Sequence, residues 1–171
     1  MELNKNINII ENFFDLKLVE KLKLIVKENL NNNVWKTNLV WQQDIVKSSS
    51  QVSILHFDSL YPNIQEQIKN KYINLLPSLQ NRQFAINLYL WHKFSYIPFH
   101  KDDHMCLAST VYLNGKWDRD WGGFFLYEEE DNYGAIKPSF NRCIINKNVN
   151  HGTSLTTADA PVRITLQVFA K

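Results

Sequence analysis

Glycine and proline are scarce, with five of each in 171 residues. No stretch is rich enough in them to form a low-complexity linker. Cysteine is scarcer still. Cys106 and Cys143 cannot build a disulfide framework, and each sits in an apolar stretch, where a buried thiol is expected. No apolar run reaches membrane-spanning length. Charge of one sign is also missing: the formal net charge is +2, which gives no electrostatic footprint for nucleic acid or a membrane surface. The start, Met1-Glu2-Leu3-Asn4-Lys5, carries no apolar signal stretch, so a cytoplasmic, reducing location is expected.

The chain does have enough apolar sequence, 44% of its residues, for one domain with a sizeable core. A single domain over 1–171 is expected, with a helical and strand support region at 1–83 and a β-rich core at 84–171. Two helices are legible in the support region. One runs from about Leu16 to Leu30, with Asp15 as N-cap and Leu18, Val19, Leu22, Ile25 and Val26 on one face. The other starts near Pro62, carries Ile64, Ile68, Tyr72, Leu75 and Leu76, and stops at Pro77. Between them Thr37–Val46 and Gln51–Phe57 read as strands around a serine run.

From Phe84 the helical period gives way to short β-rich runs: Phe84–Trp91, Leu107–Leu113, Gly123–Tyr127, Ala135–Phe140, Arg142–Asn146 and Val162–Phe169. Turn residues separate them, including Asn132 to Gly134 and Asn148 to Gly152. The pattern predicts an α+β protein: a barrel or two-sheet jelly roll with the helices on the outer face of one sheet. In the last run Val162, Ile164, Leu166 and Val168 share an apolar face, and Arg163, Thr165, Gln167 and Phe169 share the other. A buried arginine needs an anion.

Within this region lies His100-Lys101-Asp102. Residues two apart on a strand project to one side, and His151 follows near the end of the region. Two histidines and a carboxylate match the facial triad that holds iron(II) and leaves positions open for a chelating cosubstrate and dioxygen. Alone, His-x-Asp is most often a solvated pair, and a histidine in a loop such as His151 is most often solvated too. In combination with Arg163, whose planar guanidinium can grip a carboxylate, and with Thr165 beside it, the metal reading gains weight. Trp35, Trp41 and Trp91 are expected in the core, and Glu128-Glu129-Glu130-Asp131 at a solvated hairpin tip. His56 and His92 show no partner pattern, and His104 lies near the triad without belonging to it.

Further residues extend the pattern: Val111-Tyr112-Leu113-Asn114, Lys116-Trp117-Asp118, Gly122-Gly123 and Pro138-Ser139-Phe140-Asn141-Arg142. With His100, Asp102, His151 and Arg163, this ordered set resembles the prolyl 4-hydroxylase-like branch of the iron(II)- and 2-oxoglutarate-dependent oxygenases. The resemblance spans about half the chain, from Ile86 to Phe169. It implies a double-stranded β-helix with iron(II) on His100, Asp102 and His151 and 2-oxoglutarate on Arg163 and Tyr112. Tyr89, one insertion out of step, is implied as a further cosubstrate residue. It also implies ascorbate as a reductant, and hydroxylation of an unactivated C–H bond by dioxygen, foremost on a prolyl residue of a protein or peptide. A free amino acid or small metabolite is the rival substrate. Related halogenases lack the carboxylate, so Asp102 favours hydroxylation. The segment Lys93 to Pro98 lacks the glycines usual in the family, and residues 1–83 match no family motif. A non-catalytic jelly-roll binding module and a zinc hydrolase using the same three ligands remain alternatives from other classes.

Overall fold

The computed structural model describes residues 6–37, 52–57, 60–129 and 132–171. Most of the expected strand Thr37–Val46, the serine run, Trp41, Glu130 and Asp131 lie outside them. No described helix is long and apolar enough to cross a membrane.

Strand β1 (Ile7–Ile10) leads into helix α1 (Leu16–Asn29). Asp15 caps that helix, its carboxylate accepting from the Leu18 N–H at 2.9 Å. The five apolar residues expected on one face of α1 are all buried. Strands β2 (Lys36–Thr37) and β3 (Val52–His56) precede helix α2 (Pro62–Leu75), which opens on Pro62 and buries Ile68 and Tyr72. Then come β4 (Phe84–Trp91), β5 (Ile97–His100), β6 (Leu107–Tyr112), β7 (Phe125–Glu129), β8 (Asn132–Ile136), β9 (Cys143–Asn146), β10 (Asn150–Thr153) and β11 (Arg163–Ala170).

Among the described residues these strands form two antiparallel sheets. One has seven strands in the order β1-β9-β6-β11-β4-β3-β2, and the other has four in the order β5-β10-β7-β8. From β4 to β7 and again from β8 to β11 successive strands alternate between the two sheets, the connectivity of a jelly roll. The helices cover the outer face of the larger sheet. Leu22 and Val26 of α1 and Ile68 and Tyr72 of α2 share one core with Leu88, Val111, Leu166 and Val168 of the strands. Ile164, Leu166 and Val168 join that core as the alternation predicts. Val162 does not: it precedes β11 and is 39% exposed.

Several boundaries differ from the sequence reading. Asn132–Gly134 and Asn150–Gly152 read as turns, but they belong to β8 and β10. In both, hydrogen bonding to β7 overrides weak local propensity. Ile7–Ile10 was not read as a strand at all; it is a short edge strand held by β9. Cys143 is buried as expected, whereas Cys106 is exposed, because it lies in the loop before β6. The last two residues of the Pro138–Arg142 motif tie the N-terminal region to the sheets. Asn141, at φ 55°, exchanges two hydrogen bonds with the Phe14 backbone, and Arg142 pairs with Glu11 at 2.6 Å.

Candidate active site

The two sheets enclose a cavity of about 340 Å³, and His100, Asp102, His151, Tyr112, Tyr89 and Arg163 all line it. On the smaller sheet His100 and His151 face each other as a registered pair across β5 and β10. Their ring centroids are 4.4 Å apart. The ligand atoms of His100, Asp102 and His151 all lie within 4.8 Å of one another, and Asp102 Oδ2 is 3.5 Å from His151 Nε2. Asp102 reaches this position from the loop just beyond β5, which ends at His100. The expected strand geometry therefore brings the two side chains together only by continuing its direction past the last ladder bond.

The histidines are oriented by the same device. Nδ1 of His100 bonds the Pro98 carbonyl at 2.9 Å, and Nδ1 of His151 bonds the Val149 carbonyl at 2.8 Å. A carbonyl only accepts, so each Nδ1 carries the proton and each Nε2 keeps a free lone pair. This outer support is what metal-binding histidines need. Phe125 stacks on His151 with centroids 5.3 Å apart. Burial, and then the neighbouring His100, push His151 below its usual pKa, while Asp102 pulls the other way. Close contact between β5 and β10 makes this packing possible: a Cβ on Gly152 would lie 2.8 Å from the Ile97 carbonyl oxygen.

Arg163 stands at the start of β11 on the larger sheet, 2% exposed. It donates through Nη1 to the Gly123 carbonyl, and its guanidinium lies 4.3 Å from the Trp91 ring centre. Neither contact supplies negative charge. Among the described residues it forms no salt bridge, and its buried Nε has no hydrogen-bond partner. Arg163 is not paired with Asp159, Glu128 or Glu129. Burial lowers the Arg163 pKa from its usual value to about 10, with Tyr112 opposing the shift. Burial likewise raises Tyr112 to about 12 against the pull of Arg163.

Next to Arg163 the strands set Tyr89, Thr165 and Tyr112 side by side in one register row. Of the four residues expected around a cosubstrate, Arg163, Tyr112 and Tyr89 line the cavity, while Thr165 lies between the two tyrosines in the row, fully buried and not among the lining residues. Two further residues line the cavity. Trp91 is buried in the core as expected, and there it also lines the cavity, lies 4.3 Å from the Arg163 guanidinium and donates to Thr165 Oγ1 at 2.9 Å. Its place opposite Arg163 in the β4–β11 register could be found only once the pairing was known. His56 had no partner in the sequence pattern, yet it bonds Asn87 Oδ1 at 2.7 Å and lines the same cavity. His104 lies at the cavity wall outside the triad, and His92 bonds Ser53.

The donor set fits a divalent iron: two neutral imidazole nitrogens and a carboxylate grouped on one side of an open space. The unpartnered Nε of a buried guanidinium fits a carboxylate ligand.

No protein-family profile matches the chain, and no curated protein matches it in sequence. Solved structures do match. A prolyl 4-hydroxylase from Pseudomonas putida superposes with a TM-score of 0.79 at 15% identity, covering 98% of this chain and 93% of that one. A prolyl hydroxylase from Trichoplax adhaerens, solved with a hypoxia-inducible-factor peptide, gives 0.80 at 16% identity, covering 98% and 84%.

The chain shares their fold.

The prolyl hydroxylase fold also accommodates other reactions. The epimerase SnoN, solved with Fe3+, alpha-ketoglutarate and nogalamycin RO, matches at a TM-score of 0.71 and 9% identity, over 96% of this chain and 78% of that one. Within this fold the Gly122-Gly123 turn has a specific task. At φ 68°, Gly123 presents its carbonyl to Arg163, and a Cβ there would meet the same guanidinium at 3.0 Å.

Proposed function

We propose that this chain is an iron(II)- and 2-oxoglutarate-dependent dioxygenase that hydroxylates a C–H bond, with a prolyl residue of a peptide or protein as its foremost substrate. One observation carries the proposal. A buried guanidinium that has no counter-anion among the described residues shares a cavity with a His-Asp-His cluster whose two histidines are held at Nδ1 by backbone carbonyls. A zinc hydrolase would need the cluster but not the arginine. A non-catalytic module would need neither.

His100, Asp102 and His151 hold the iron. Arg163 binds the far carboxylate of 2-oxoglutarate through charge-assisted hydrogen bonds, assisted by the hydroxyls of Tyr112 and Thr165, with Tyr89 bounding the site. Trp91 holds the guanidinium plane in place. Bound together, iron(II) and 2-oxoglutarate supply oxygen activation while the cosubstrate is converted to succinate and carbon dioxide. The protein orients, neutralises charge and excludes water; no side chain is needed as a general base. The burial of Arg163 and Tyr112 keeps water from the cosubstrate end of the cavity. The prolyl preference draws on the sequence resemblance and on the peptide-bound structural neighbour.

The test is aerobic incubation with iron(II), 2-oxoglutarate and ascorbate, against capped prolyl peptides and free amino acids. Succinate release above the substrate-free rate, with a product one oxygen atom heavier, is expected from a prolyl peptide. Stimulation by a free amino acid alone would overturn the peptide assignment. No succinate under any condition would overturn the enzyme.

A further inference from the structure

The inner wall of the larger sheet carries a second register row, one step from the Tyr89–Thr165–Tyr112 row. It runs His56–Asn87–Gln167–Thr110 across strands β3, β4, β11 and β6. All four residues line the cavity. A polar row across the inside of a jelly roll is unexpected for a core, where apolar side chains normally fill the space.

The ends of the row fix its middle. His56 Nδ1 bonds Asn87 Oδ1 at 2.7 Å, and Thr110 Oγ1 donates to Gln167 Oε1 at 2.8 Å. Both amide oxygens are thereby occupied. Among the described residues the Asn87 NH2 has no hydrogen-bond partner, and the Gln167 NH2 makes only a long bond of 3.3 Å to Thr165 Oγ1. Each amide is held by its oxygen and presents N–H donors to the cavity. Donors on a cavity wall can serve an acceptor of a bound molecule. Nearby, Asn146 Oδ1 is a buried acceptor without a partner, also on the cavity wall.

We infer that Asn87 and Gln167 are specificity-determining residues that hydrogen-bond a carbonyl oxygen of an amide in the primary substrate. The neutrality of the row selects the class. A carboxylate at this wall would meet only neutral amide donors in Asn87 and Gln167, and Arg163 is committed to the cosubstrate in the proposed function. A peptide carbonyl is neutral and matched by neutral amide donors. The Asn146 oxygen provides the complementary acceptor for an N–H. The wall therefore favours a residue within a peptide chain over a free amino acid. This inference rests on the proposed function.

The test uses two isosteric exchanges, Asn87→Asp and Gln167→Glu. Each keeps the oxygen that His56 or Thr110 contacts and removes the outward N–H donors. The probes are capped tripeptides of the form acetyl-Xaa-Pro-Xaa-amide and free L-proline. Absorption of the protein with anaerobic iron(II) and 2-oxoglutarate reports loading separately. Wild type should turn over a capped tripeptide with a lower KM than L-proline. Each exchange should raise the tripeptide KM by about tenfold or more, with the loading signal retained. Asn87→Ser and Gln167→Ser, which shorten the side chain but keep a donor, should recover part of the loss. An unchanged tripeptide KM in both exchanges would overturn the inference, as would L-proline outperforming every tripeptide or no tripeptide being used. In these cases an intact loading signal leaves the iron and cosubstrate assignment standing. A missing loading signal in wild type would instead defeat the function on which the inference depends.

Discussion

The Arg163 Nη1–H donates to the Gly123 carbonyl, and a Cβ added to Gly123 would lie 3.0 Å from that same nitrogen. Gly123 therefore acts on Arg163 twice, as acceptor and as clearance. Its φ of 68° also disfavours any L side chain. Gly123→Ala should displace the guanidinium and weaken 2-oxoglutarate binding by about tenfold or more. It should lower stability by more than about 1 kcal/mol. Iron binding should persist. Cosubstrate titration of the iron-loaded variant, with urea denaturation, checks both parts.

Trp91 supports Arg163 from the other side, with the guanidinium 4.3 Å from its ring centre. A desolvated cation–π contact contributes about 2 kcal/mol or more. Trp91→Leu should raise the 2-oxoglutarate KM by roughly tenfold and leave iron affinity unchanged. An equal loss of both would mean that the tryptophan only fills the core.

The charge on Arg163 has a predicted effect on stability. Its folded pKa is about 10, below the ordinary arginine value, chiefly because of burial. Between about 10 and the ordinary arginine value the unfolded chain binds the extra proton, so this group's contribution to stability rises with pH across that window. Below it, both states are charged and burial is a full penalty. Arg163→Met should then make the ligand-free protein more stable at pH 7.5, by on the order of 1–3 kcal/mol after the Gly123 and Trp91 contacts are lost. The gap should narrow above pH 10. Glutarate, which carries the distal carboxylate without the chelating end, should stabilise wild type and not the variant. Denaturation curves with and without glutarate decide this; a less stable variant at pH 7.5 would contradict the argument.

Outside the cavity, Asn141 joins the N-terminal region to the sheets through two hydrogen bonds to the Phe14 backbone, from a left-handed conformation that asparagine tolerates. Asn141→Ala should cost about 2–4 kcal/mol, because it leaves two buried backbone groups unpaired. Asn141→Gly, which relieves only the conformational strain, should recover little. Thermal denaturation of both variants provides the check.

How much of this was legible beforehand depended on the kind of information involved. The two helices could be read because a 3.6-residue period, a cap at Asp15 and a break at Pro77 all agree locally. The alternation on β11 separated Arg163 and Thr165 from Leu166 and Val168 for the same reason. Strand β10 was hidden, because Asn150-His151-Gly152 has turn-like composition and becomes a strand only through β5 and β7. Trp91 and His56 were unreadable as cavity residues for a related reason. Their partners, Arg163 and Asn87, are set by cross-strand register, which no local pattern encodes. The edge strand β1 carried too few residues to signal itself.

The most direct measurement is an anaerobic spectroscopic titration of the protein with iron(II), 2-oxoglutarate and both together. The account predicts a metal-to-ligand charge-transfer band only when both are present. The band should be lost in Asp102→Ala and shifted to higher 2-oxoglutarate concentration in Arg163→Met. A spectrum of the mixture equal to the sum of its separate components would contradict it.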